Sequence, residues 1–223
     1  MVFNLGTHED PVIRAKVKAE SKQFKDVLEL DIPDTFYKLP HRVMAGLQWA
    51  YQRSKFKYLL KTDDDVFIHV DRVITKLEDE KWAQEDYIGR MLYKSEVMRW
   101  GKYAVTKEEW PEETFHPFCS GGGFFLSNSI IGKMIPHYDW VKPFKLDDVY
   151  IGLLVKLAGG YPFNVAKHIF MTNGHCAYND EFLVSHPVKN EGCSQFMMIK
   201  TLLEMGKVKK HKYENLTRYQ IIK

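Results

Sequence analysis

The stretch Lys61-Thr-Asp-Asp-Asp-Val-Phe-Ile-His69 sets three consecutive carboxylates at the end of an apolar strand. Tyr58, Leu59 and Leu60 lead into it, and Val66, Phe67 and Ile68 follow. Adjacent like charges repel and resist burial, so a chain that keeps them in apolar sequence needs a cation to offset the cost. A divalent metal answers that need, because carboxylate oxygens are the preferred ligands of Mg²⁺, Ca²⁺ and Mn²⁺. The competing reading is a strand-to-loop turn whose acids are solvated or cap a helix.

A second acidic pair, Asp147-Asp148, opens a segment with Val149, Leu153 and Leu157 at helical spacing. Asp is favoured there by capping and by the helix dipole. A carboxylate so held is also placed to act as a general base toward a hydroxyl. Gly121-Gly-Gly123 precedes an apolar strand and either lets the backbone approach a ligand closely or makes a turn. Its spacing fits neither type of Gly-rich nucleotide loop. His186 closes the apolar run Phe182–Ser185, and imidazole suits Mn²⁺ beside carboxylates, though a lone His at a strand end is more often structural or merely exposed.

The elements that position these residues alternate in the first half. Val2–Leu5 and Val27–Leu30 read as strands, Pro11–Glu20 and Pro40–Arg53 as helices, and Tyr58–Leu60 and Val66–Ile68 as strands around the acids. A helix opens near Asp71 as N-cap. Tyr87–Met91 reads as a strand, Trp100–Pro117 as an aromatic-rich loop, and Asn190–Met205 as a last helix. The order predicts an α/β fold with a mainly parallel sheet, whose ligands gather at the carboxyl ends of the strands. With no repeats and no evident linker, the 223 residues read as a single domain.

A hydrophobic content of 45% is that of a globular chain, and a net charge of +3 with no basic-aromatic interleaving excludes a nucleic-acid groove. The locally basic Lys207–Lys212 reads as a solvated terminal segment. No run reaches membrane-spanning length, so the chain reads as soluble and without a targeting segment. Cys119, Cys176 and Cys193 allow one disulfide and a thiol, or three thiols. Asn215-Leu-Thr217 is a glycosylation sequon.

Several blocks together resemble the β-1,3-galactosyltransferase / β-1,3-N-acetylglucosaminyltransferase family. They are Glu20-Ser21, Asp31-Ile-Pro-Asp-Thr-Phe-Tyr-Lys-Leu39, Trp49, Tyr58 to Phe67, Pro117 to Ser127 and Asp147 to Gly152. The resemblance implies a GT-A fold and an inverting, Mn²⁺-dependent transfer of galactose or an N-acetylhexosamine from a UDP-sugar to an acceptor glycan on a glycoprotein or glycolipid. It makes Asp65 the metal ligand with His186, Asp63 and Asp64 contacts of the nucleotide-sugar or its surroundings, and Asp148 the base. Lys61, Gly121, Gly122 and Gly123 fall on the donor side. Golgi residence follows from the same resemblance.

The chain departs from the family in three places. Asp147 stands where Glu is usual, and His41-Arg42 where a Leu-Lys pair is common. The family's first strand, its Arg-rich motif and its signal anchor are expected ahead of Val2. Those departures leave open an inactive relative that binds an intact transferase. A Mg²⁺ phosphohydrolase using Asp63-x-Asp65 is the remaining rival, and it lacks the downstream Lys such chemistry needs.

Overall fold

The structure is a computed structural model that describes residues 1–171 and 175–207. Of the basic terminal segment only Lys207 falls within them, and the sequon lies outside them. Among the described residues no helix is long and apolar enough to cross a membrane. Contacts divide the chain into two compact units. The first comprises Met1–Leu59, Leu92–Phe118 and Leu126–Pro162, and the second Leu60–Met91, Cys119–Phe125 and Phe163–Lys223.

In the first unit, β1 (Phe3–Thr7) lies parallel to β2 (Val27–Pro33), with Phe3 opposite Val27. Parallel neighbours need a crossover, which α1 (Pro11–Phe24) supplies. Asp10 caps α1 by accepting the Val12 N–H at 2.8 Å, and Pro11 takes the first helical position, where a missing N–H costs nothing. Helix α2 (Leu39–Arg53) buries Val43, Met44, Leu47 and Ala50 at the spacing expected of one helical face. It packs on β1, β2, α4 (Asn128–Tyr138) and α5 (Asp147–Leu157). Gly152 lets α5 approach Phe118, since a Cβ there would stand 2.5 Å from the Phe118 Cβ. That contact fixes the helix whose first turn holds Asp148.

The second unit carries a four-stranded sheet in the order β3-β6-β5-β7: β3 (Tyr58–Thr62), β6 (Phe118–Ser127), β5 (Tyr87–Leu92) and β7 (Phe163–Asn164). Strands β3 and β6 each begin in the first unit, and β5 runs parallel to β7. Its second sheet is β4-β9-β8: β4 (Phe67–Ile68), β9 (Val184–His186) and β8 (Ile169–Met171). Here β4 and β9 are antiparallel, with Phe67 opposite Ser185, and β8 is parallel to β9. Helices α3 (Val70–Leu77) and α6 (Glu191–Glu204) complete the unit.

The α/β class is as expected, and among the described residues the strands pair in three sheets rather than one. Helix α3 opens at His69, with Asp71 inside its first turn and not at the cap. Helix α4 was not expected from the sequence: Gly132 and Pro136 interrupt its pattern, yet Ile130, Ile131 and Met134 are fully buried and Ser127 caps it. Cys176 and Cys193 form a disulfide that ties the segment before β9 to the start of α6, and Cys119 is a buried free thiol.

His69 is 2% exposed, with its Nδ1 3.1 Å from the Thr201 hydroxyl and its ring edge-on to Phe67 and Tyr178. Burial, then the nearby Arg72 charge, lowers its pKa from 6.5 to about 4, with Glu204 acting in the opposite sense. The unfolded chain therefore takes up a proton below about pH 6.5 that the folded chain refuses until about pH 4. Stability held by the neutral imidazole is complete above that window and is lost as pH falls through it, by on the order of 2–3 kcal/mol. Urea unfolding at pH 7 and pH 4.5 should show the loss, and His69→Gln should shrink it; an unchanged pH slope in the variant would refute the assignment.

Candidate metal centre

Between β3 and β4 the chain leaves the strand and bends at Asp64 and Asp65. Asp63 and Asp65 are half-buried, and Asp64 is exposed to solvent. The antiparallel register that sets Phe67 against Ser185 and Ile68 against Val184 carries His186 toward Asp65. Past the strand, the Val188 N–H donates to the Asp65 carbonyl at 2.6 Å, which holds the two segments together.

The side chains converge accordingly. His186 Nε2 lies 3.1 Å from Asp65 Oδ1 and 3.7 Å from Asp63 Oδ2. One ligand atom from each of Asp63, Asp65 and His186 falls within 4.8 Å of the others. Lys61 Nζ donates to Asp63 Oδ1 at 2.9 Å and to the Gly121 carbonyl at 3.2 Å, with only a tenth of its side chain exposed. Asp63 is thereby paired with a sheltered cation of the chain, while Asp65 faces the imidazole. Two carboxylate oxygens and an imidazole nitrogen within 4.8 Å form a donor set that suits a divalent cation of the Mn²⁺ type.

The second unit thus brings together Lys61, Asp63, Asp65, Gly121 to Gly123 and His186, and leaves Asp64 exposed. Asp148 lies in the first unit, in the opening turn of α5 with Asp147. Its Oδ1 accepts the Val149 N–H at 2.9 Å, while Asp147 is buried. The cap residue is Leu146, whose side chain makes no capping bond, so neither Asp is the N-cap. Both still sit where the helix dipole favours negative charge.

One participant was not expected from the sequence. Lys189 Nζ stands 4.0 Å from Asp65 Oδ2 with most of its side chain in solvent. Its only sequence signal is its place three residues after His186, which a lone exposed Lys does not distinguish from an ordinary surface cation.

A family profile described as Galactosyltransferase matches residues 1–161. β-1,3-Galactosyltransferase 1 of Mus musculus is 30% identical over 184 residues, which cover 79% of this chain and 56% of that protein. Hydroxyproline O-galactosyltransferase GALT6 of Arabidopsis thaliana is 29% identical over 156 residues, covering 69% of this chain and 23% of that protein. The chain therefore spans about half the length of the first relative and about a quarter of the second. A solved glycosyltransferase involved in the glycosylation of the major capsid of PBCV-1 aligns at a TM-score of 0.40 and 15% identity, covering 87% of this chain and 96% of that one. With a match over residues 1–161, a span that holds both acidic clusters, the chain belongs to the galactosyltransferase family.

Proposed function

We propose that the chain is a UDP-sugar-dependent β-1,3-hexosyltransferase of GT-A type, acting with Mn²⁺ and inverting the donor's anomeric configuration. Galactose is the first donor to try, given the names of its relatives, with N-acetylhexosamines next. The acceptor is a glycan hydroxyl on a glycoprotein or glycolipid, and the setting is the Golgi lumen. The observation that carries this reading is the grouping of Asp63, Asp65 and His186 beside Lys61 and the β6 glycines in a chain of this family.

Asp65, His186 and the free oxygen of Asp63 would hold the cation. When bound, the ion neutralises the diphosphate and eases its departure. Lys61 holds Asp63 in place through Oδ1 and braces β6 through the Gly121 carbonyl. Gly121 to Gly123 offer backbone without side chains on the donor side, and exposed Asp64 is left for the donor's surroundings. Asp148 takes the proton as the acceptor oxygen bonds to the anomeric carbon from the face opposite the departing UDP. One displacement forms the new C–O bond, breaks the bond to phosphate and inverts the centre, giving a β product from an α-linked donor.

The test is calorimetry of UDP binding to the chain with Mn²⁺ and again with EDTA. Binding that requires Mn²⁺ is the expected outcome. A folded chain that binds no UDP in either buffer would refute the donor-site reading and leave an inactive relative in its place.

A further inference from the structure

We propose that Gly122 is the positioning residue for His186: it is the flat seat on β6 against which the imidazole lies, and through the ring it sets the cation affinity of the centre. A Cβ built on Gly122 would stand 2.7 Å from His186 Cγ, 2.8 Å from Nδ1 and 3.0 Å from the His186 Cβ. These are the root and near edge of the ring, which cannot swing aside without the backbone. The far edge is committed as well, since Nε2 faces Asp65 at 3.1 Å and Asp63 at 3.7 Å. The strand bearing the ring is pinned by its pairing with β4 on one side and β8 on the other.

Three features separate this role from ordinary glycine tolerance. Gly122 is not among the glycines with positive φ, so Ala is refused there by lack of space and not by backbone strain. The His186 Nδ1 is buried with no hydrogen-bond partner. Metal-ligating histidines usually fix their ring by donating the other N–H to a carboxylate or carbonyl; here, contact with a bare strand does that work. Last, the neighbouring glycines meet other groups: Gly121 presents its carbonyl to Lys61, and Gly123 abuts Val184. The three glycines therefore have three separable jobs.

The inference rests on the metal reading of Asp63, Asp65 and His186, and the experiment keeps the two apart. Mn²⁺ binding, with and without UDP, is measured by calorimetry on the unmodified chain, Gly122→Ala, His186→Ala and the double variant. Gly122→Ala is expected to weaken Mn²⁺ about tenfold, as loss of an outer-layer orienting group does. In the double variant the added methyl meets no ring, only the retained Cβ at 3.0 Å, a contact that a shift of a few tenths of an ångström relieves, so its affinity should equal that of His186→Ala alone. Penalties that add would overturn the proposal. If Gly122→Ala does not fold, the double variant decides: folding supports the seat, and failure to fold shows that the glycine serves the sheet itself and overturns it. If the unmodified chain binds no Mn²⁺, the metal reading falls, and the ring is followed by NMR instead. Its Hε1 resonance, identified by its loss in His186→Ala, should move in Gly122→Ala more than that of any other histidine; an unmoved resonance overturns the seat.

Discussion

Asp65→Ala should abolish measurable Mn²⁺-dependent UDP binding, weakening it by more than about 100-fold, beyond what losing an outer-layer partner costs. Asp65 is the acid nearest the imidazole, at 3.1 Å, and its partners in the chain, His186 and the solvent-exposed Lys189, do not depend on it for burial. The variant should therefore fold normally, so its binding loss reads directly on the centre. Asp64→Ala, on the solvent side of the same triplet, should leave Mn²⁺ affinity within about threefold, as expected of exposed sites. Asp63→Ala is the confounded case. It strips the carboxylate from Lys61, whose side chain is largely shielded from water and keeps the Gly121 carbonyl, and losing that charged partner costs on the order of 1–3 kcal/mol. Asp63→Asn keeps an oxygen for Lys61 and is the better probe. The ranking 65 above 63 above 64 distinguishes a metal centre from an acidic turn, which predicts three similar and small effects.

The acid triplet and the Asp pair were legible because each breaks an apolar pattern in a way that burial must compensate. Which carboxylates are sheltered depends on how the backbone bends at Asp64 and Asp65, which leaves Asp64 exposed and its neighbours half-buried, and no local pattern encodes that bend. His186 drew attention only as a His at a strand end; its meeting with Asp65 depends on the β4–β9 register, a long-range pairing that no local pattern encodes. The disulfide was one of several outcomes for three cysteines, decided by the packing of α6 against the segment before β9. Helix α4 was hidden because its stability comes from burying Ile130, Ile131 and Met134 and not from propensity, which Gly132 and Pro136 depress. What lies across from Gly122 and Gly123, His186 and Val184, was hidden for the same reason.

Asp148→Asn should lower kcat by about 10²- to 10⁴-fold, the range for losing a general base, while leaving UDP and Mn²⁺ binding within about twofold. Asn is nearly the same shape, and its amide oxygen can still accept the Val149 N–H that Asp148 now holds at 2.9 Å. The helix start loses one favourable charge at its positive end, worth about 0.3–1 kcal/mol, so Tm should fall by only a few degrees. A base that must take a proton has no such substitute, because a neutral amide cannot accept one. Rate and stability therefore move by very different amounts, and their ratio is the diagnostic. The buried neighbour gives the contrast: Asp147→Asn disturbs a carboxylate set among packed residues, so its effect should appear in unfolding and leave kcat, per folded molecule, nearly intact. An Asp148→Asn variant with unchanged kcat would reduce the pair to helix-terminal charges. A large rate loss with intact binding assigns the proton transfer to Asp148 and keeps it apart from the cation-holding acids in the other unit of the chain.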